Sequence, residues 1–389
     1  MQKTLTAITG FTIATVLLFS TSCKKDSTPA IPTYTVPTTY NFTNVDYSNQ
    51  SKLLAMADQV VAAINLGNNQ GAIVSAQQLK DMFNNTNNYF NDSALQLNNS
   101  GLRLTDYCSP AAQADMFNYF DSIGLYSQAN NAASAGVAGV SPSSASPTKK
   151  YLLSPTGVFY SQVVKKSIMG GICAYEIANV YMVDSVSNAV NNSTVTAGLG
   201  TALEHHWDEA FGFFGVPIDF PTNTTGLKYF GSYSNQVDAG LHSNATIMDA
   251  FLKGRAAISN KDLATKDAQV AILVKTFDQL DAAAIVQEMK ETDENIEAGD
   301  AVAAYGTLSE SLGFVRNLAY NKGATRIITD AQIAQLEALY DSANPNNPNL
   351  YNFVNANVNS VAQIEAKTNA IRQLIGSIYG FTADELANL

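Results

Sequence analysis

Apolar positions along this chain recur at steps of three and four far more consistently than at steps of two, and that spacing decides the fold class. In SKLLAMADQVVAAI (51–64), Leu53, Met56, Val60 and Ile64 fall on one helical face. From Gly157 to Met182 the same spacing links Tyr160, Val163, Val164, Ile168, Ile172, Tyr175 and Val180. Further helices are expected over 110–125, 196–214, 244–258, 261–297, 300–320, 330–341 and 360–379. Only RIIT near 326 alternates in the manner of a strand, so the pattern predicts an all-α helical bundle protein.

Local signals sharpen the boundaries. Thr329 with Gln332 matches a capping box, Asn321-Lys322-Gly323 closes the helix before it, and Pro217 and Pro221 end the one at 196–214. The run ANNAASAGVAGVSPSSASPTKK (129–150) is rich in Gly, Ala, Ser and Pro and reads as a mobile surface loop. ANPNNPNLYN near 343 is a second connection, without the acidic spacing of a calcium loop. Gly170 and Gly171 fall inside the 157–182 helix, where close packing is the expected reason.

The first 22 residues break the helical pattern differently. Lys3, the apolar core AITGFTIATVLLFS and the small residues Ser20-Thr21-Ser22 before Cys23 read as a lipoprotein signal peptide, with a core too short to span a bilayer. Cys23 is expected to carry a lipid anchor, with the Thr-, Pro- and Ser-rich stretch 23–44 as a flexible tether. The alternative is a plain secretory signal with Cys23 incidental. Lys24 after the cysteine points to the outer membrane. Beyond that leader roughly 345 residues remain, enough for two domains or one large helical one. A net charge of −11 speaks against nucleic-acid partners, which need a basic face. Cys108 and Cys173 are either one disulfide or two small core residues.

Candidate chemistry concentrates in EHHWDEAFGFFG (204–215), which holds two of the three histidines and the only tryptophan. Read as a helix, the stripe Leu199, Leu203, His206, Ala210, Phe213 places His206 on an apolar face with Glu209 one turn on, while Trp207, Phe211 and Phe214 form a second apolar stripe. His206 and Glu209 are therefore expected to be buried, and a buried carboxylate without a partner costs several kcal/mol. Two other helices share the anomaly. Arg255 lies in line with Met248, Phe251 and Ile258, and Glu310 shares a face with the small residues Ala303, Gly306, Gly313 and Asn317, which would let another helix approach. Convergence of His206, Glu209, Arg255 and Glu310 inside a bundle is the expectation.

Three uses fit such a set: a structural network, a metal or metal-complex site with His206 and Glu209 as ligands, and acid–base catalysis by Glu209. Few histidines favour a hard ion such as iron over a closed zinc site. His205 and Asp208 either extend a metal site or make a surface contact. Glu204 and Asp208 are expected on a solvated edge or paired with nearby lysines, Glu176 at a boundary with a further buried acid as the alternative, and His242 in a loop, incidental rather than a remote ligand. No HExxH, GxSxG or P-loop element occurs.

The blocks EHHWDEAFGFFGVPIDFPTN, IMDAFLKGRAAISNKD and LSESLGFVRNLAYN resemble a family of bacterial lipoproteins defined by a domain of unknown function, from about Tyr47 to the C-terminus. More distantly, His206-Trp207-Asp208-Glu209 followed by aromatics and Gly215 is similar to the Gly-x-His-x-x-Glu motif of the imelysin family, with Glu204 where that motif has glycine. The imelysin resemblance implies a helical protein of two bundle-like halves, here 45–222 and 223–389. It also implies iron or another divalent metal bound at His206 and Glu209, a role in iron uptake, and a doubtful peptidase assignment that leaves a hydrolase as the disfavoured alternative.

Overall fold

The computed structural model describes residues 33–91, 94–183, 189–323, 326–344, 347–355 and 359–389; the expected signal peptide, Cys23 and the start of the tether lie outside them. Helices dominate: α1 (Ser48–Asn65), α2 (Ala76–Phe83), α3 (Pro110–Tyr126), α4 (Tyr160–Ile168), α5 (Ala202–Phe214), α6 (Tyr229–Gln236) and α7 (Asp238–Leu241) are followed by α8 (Ser243–Ser259), α9 (Leu263–Glu297), α10 (Ala301–Tyr320), α11 (Asp330–Tyr340), α12 (Leu350–Val354), α13 (Val361–Tyr379) and α14 (Ala383–Asn388). The protein is all-α, as the spacing predicts. None of these helices is long and apolar enough to cross a membrane.

The departures from expectation each have a local cause. The 196–214 helix begins only at Ala202, because Gly198 and Gly200 adopt positive φ and Thr201 forms a capping box with Glu204. It ends at Gly215 in the left-handed conformation, before either proline. α4 continues beyond Ile168 as two π-helical stretches, Met169–Ala174 and Glu176–Tyr181. The stretch 129–150, expected as a mobile loop, contains β1 (Gly139–Pro142), which pairs antiparallel with β2 (Lys150–Leu153), Val140 opposite Leu152. Val140 and Leu152 bury one face of this hairpin and Leu153 is buried on the other, which is why it is held. RIIT forms no strand; Ile328 is buried in an irregular approach to the Thr329 cap.

α9 is the central pillar, packed against α8, α10 and α13, while α10 packs against α4. Glycines allow several close approaches between helices. A Cβ on Gly254 of α8 would lie 2.0 Å from the Trp207 ring of α5, and one on Gly313 of α10 would lie 2.5 Å from Cβ of Lys166 on α4. Gly170 and Gly171 likewise face Asn317 and Ala112 at 2.3 Å, the close packing anticipated for them. The aromatic core between α5, α8 and α9 joins Phe211, Phe214, Phe251 and Phe277, each worth about 1.5–3 kcal/mol on full burial.

Helices on both sides of position 222 interlock, α5 with α8 and α4 with α10, and Val36–Leu389 forms one compact unit. The described end of the expected tether belongs to this unit. Tyr40 is 1% exposed and stacks on Phe211 with ring centroids 3.7 Å apart, so the chain is anchored well before residue 44.

Candidate functional site

The side chains singled out in the sequence fall into three separate places. α5 is covered by α1, α8 and the π-helical segment, so almost every face of it meets protein. The face toward α8 is set by Trp207, whose Nε1 donates to the Phe251 carbonyl at 2.9 Å. The next residue, Asp208, therefore points at Arg255.

This is the first correction. Asp208, expected on a solvated edge, is 0% exposed and accepts from Arg255 Nε and from the Tyr40 hydroxyl on the same oxygen, both at 2.8 Å. Glu204 is not a solvated acid either: its Oε1 accepts from Arg255 Nη1 at 2.8 Å and Ser259 Oγ at 2.7 Å. Arg255 is buried as its stripe implied, but its carboxylates are Asp208 and Glu204 rather than Glu209 or Glu310. Burial pushes the Asp208 carboxyl upward against the pull of Arg255. The Phe42 ring lies 5.2 Å from the guanidinium, closing the centre with a cation–π contact.

The opposite side of α5 carries the expected His206 and Glu209. Both are only half-buried, because that face looks toward α1 and the π-helical segment rather than into the aromatic core. Glu209 Oε1 accepts from Gln50 Nε2 at 3.1 Å and lies 3.7 Å from His205 Nε2, so His205 meets Glu209 and not Asp208. His206 stands edge-on to the Tyr181 ring, centroids 5.8 Å apart. Gln50 Nε2 also reaches the Tyr181 hydroxyl at 3.3 Å, and Gln50 Oε1 is buried without a partner. Glu176, expected at a boundary, is 5% exposed here; burial first and the charge of Glu209 second push its carboxyl up to about 8. Glu176 and Tyr181 both belong to the second π-helical stretch, a geometry that recurs at functional sites.

Glu310 belongs to neither place. Its Oε2 lies 2.7 Å from Lys166 Nζ on α4 and accepts from the Tyr233 hydroxyl at 3.0 Å. Lys166 also contacts the Tyr233 hydroxyl, whose oxygen lies 3.4 Å from a carboxyl oxygen of Glu288 on α9. The small residues beside Glu310 do admit a helix, as anticipated: it is α4, entering over Gly313. Burial alone would raise the Glu310 carboxyl, but the charge and hydrogen bond of Lys166, with the bond from Tyr233, hold it below its ordinary value. Burial and the neighbouring Glu310 charge raise Glu288 well above its own. The expected convergence of Glu209, Arg255 and Glu310 is thus replaced by two ion-pair centres and a separate histidine–glutamate face.

A cavity of about 480 Å³ opens beside Glu310, whereas neither it nor an open groove of about 370 Å³ near Tyr40 is lined by His206 or Glu209. Among the described residues, no group of three or more His, Cys, Asp or Glu side chains is placed to hold a metal ion. Cys108 and Cys173 are buried free thiols, raised by burial. His242 has left-handed backbone between α7 and α8, in a connection as expected.

Lys166, Glu288 and Gln50 were missed at the sequence level, yet a signal existed for two of them. Lys166 interrupts Val163, Val164 and Ile168, and Glu288 interrupts Ala284, Ile285 and Met289, the same pattern that exposed Arg255. Gln50 precedes the first apolar residue of α1 and carries no such mark.

Fold and sites together define an all-α protein with two buried ion-pair centres and a half-buried imidazole–carboxylate face. Within that class the chain belongs to the family described as a domain of unknown function (DUF4856), whose model matches residues 36–382. No curated protein and no solved structure matches it.

Proposed function

We propose that this protein binds a metal ion carried in a complex, iron above all, at the His205, His206 and Glu209 face of α5, as a lipid-anchored protein of the outer membrane serving iron uptake. The observation that carries the reading is the donor imbalance beside Glu209. Gln50 Oε1 is buried with no donor while its Nε2 is held by Glu209, and among the described residues no lysine or arginine ion-pairs with either Glu209 or the neighbouring Glu176. A cation supplies the missing charge, and oxygen with imidazole donors suits iron. The similarity of His206-x-x-Glu209 to the imelysin motif supports the same choice. With too few protein ligands to enclose a bare ion, the metal brings oxygen donors of its own, and the protein contributes one or two ligands and outer hydrogen bonds.

Calorimetric titration of the mature protein with ferric citrate tests this. Wild type binds with saturable heat; Glu209→Gln and His206→Ala each weaken binding at least tenfold while melting as wild type does. Absence of binding by wild type to ferric citrate, and equally to ferrous ion, defeats the reading.

A further inference from the structure

The cavity beside Glu310 is remote in chemistry from the histidine face and has no part in the reading above. We infer that it is a second ligand site, and that its ligand is a small neutral polyhydroxylated molecule, a mono- or disaccharide. Its volume of about 480 Å³ lies within the ~300–1,000 Å³ typical of small-molecule sites. Its walls come from five places: the end of α1 with the turn that follows it, the β1–β2 hairpin, the start of α4, α9 and α10.

The walls are polar but electrically balanced, and the balance selects the ligand. Glu310 is ionised against Lys166. Asp300 is satisfied by the chain itself, accepting from Ser143 Oγ at 2.5 Å and from the backbone N–H groups of Ala145 and Ala303 at 3.0 Å. Glu291 Oε1 accepts from Gln287 Nε2 at 3.1 Å, and burial and then the charge of Glu310 raise its carboxyl. Lys149 and Lys150 stand at the mouth in water. A cation would find each ionised carboxylate already matched, and an anion would face three acids. A neutral ligand rich in hydroxyls meets neither penalty, because each hydroxyl both donates and accepts.

Two further features fit a sugar. Gln162 Oε1 in the cavity wall is buried without a hydrogen-bond partner, an acceptor waiting for a hydroxyl. The Tyr151 ring, half-buried in the wall, lies against Gly306, where a Cβ would come within 2.8 Å of the ring, and is braced edge-on by Phe159 at 5.0 Å. A fixed aromatic surface beside amides and carboxyls presents an apolar platform for the C–H face of a pyranose, with polar groups at its hydroxyl edge.

Saturation-transfer NMR with the mature protein, followed by calorimetry, reads this out over a panel of neutral mono- and disaccharides, with a uronic acid, an amino sugar, calcium ion and inorganic phosphate as comparators. Neutral sugars should bind saturably and best. Gln162→Ala should weaken them at least tenfold, and Gln162→Glu, which keeps the volume but adds charge, should do so more strongly. Glu209→Gln should leave them unchanged, separating this site from the histidine face. The inference is overturned if no neutral sugar in the panel binds, if a charged comparator binds better, or if both Gln162 variants fold and bind sugar as wild type does.

Discussion

The two ion-pair centres are built from nearly the same parts. Each has a cation no more than 1% exposed, two acids and a tyrosine: Arg255 with Asp208, Glu204 and Tyr40, and Lys166 with Glu310, Glu288 and Tyr233. They differ in how many groups the cation can satisfy. The guanidinium distributes its donors over Asp208, Glu204, Ser259 and the Thr43 carbonyl and ties three segments together, α5, α8 and the stretch at 40–43. The ammonium is a point charge that serves Glu310 and Tyr233; each centre leaves one carboxyl oxygen buried without a partner, Asp208 Oδ2 and Glu288 Oε2, but here Glu310 lines a cavity. A centre whose acids are all turned to its cation fixes the register of helices; a centre whose acid lines open volume is where a ligand fits.

Removing each cation is the strongest way to break that contrast. Arg255→Met leaves Asp208 and Glu204 facing each other without a countercharge, and breaking a buried pair in this way costs about 3–5 kcal/mol. Urea denaturation should show that loss, or no folded protein. Lys166→Met should cost less, about 1–3 kcal/mol, because Glu310 is close enough to the cavity to exchange its proton with water and become an unsatisfied neutral group. The sign with pH follows. In wild type Glu310 is held below its ordinary value, so it adds stability above that value and loses it as pH falls. In Lys166→Met the same carboxyl is raised, so the deficit should be small at pH 5 and grow toward pH 8. Equal, pH-independent losses for both variants would remove the distinction between the centres.

Glu288→Gln probes the extra proton directly. The native carboxyl is raised well above 4.5, so between 4.5 and its native value the unfolded chain releases a proton that the folded chain keeps, and stability falls as pH rises. Glutamine has no proton to release. Thermal melts should show a variant close to wild type at pH 5 and increasingly more stable toward pH 8, the gap opening by up to about 1.4 kcal/mol per pH unit. Parallel pH profiles would mean Glu288 is ionised in the native state.

How much of this was legible in the sequence depended on how one-sided each helix is. Arg255 stood out because α8 presents a single guanidinium among Met248, Phe251 and Ile258, and it is buried. α5 misled because both of its faces are apolar: when a helix is covered nearly all round, periodicity cannot rank 208 against 209, and only the Gly254 notch that admits Trp207 decides which acid meets Arg255. The cavity was invisible for a different reason. Its walls combine the hairpin with parts of four helices, and the Ser- and Gly-rich composition of 129–150 hid the hairpin that carries Tyr151.

Tyr40→Phe should have the smallest effect, and it tests whether the closed centre is over-determined. The hydroxyl shares Asp208 Oδ1 with Arg255 Nε, so its removal leaves that oxygen bonded, and the stack on Phe211 at 3.7 Å does not involve the hydroxyl at all. The loss should stay near the net value of one hydrogen bond, about 1 kcal/mol by urea denaturation, with no change in amide exchange around residues 36–44. A loss of several kcal/mol together with faster exchange there would place the docking of this segment on the hydroxyl rather than the ring. The Arg255 centre would then owe its closure to one bond, and its contrast with the Lys166 centre would rest on the cavity alone.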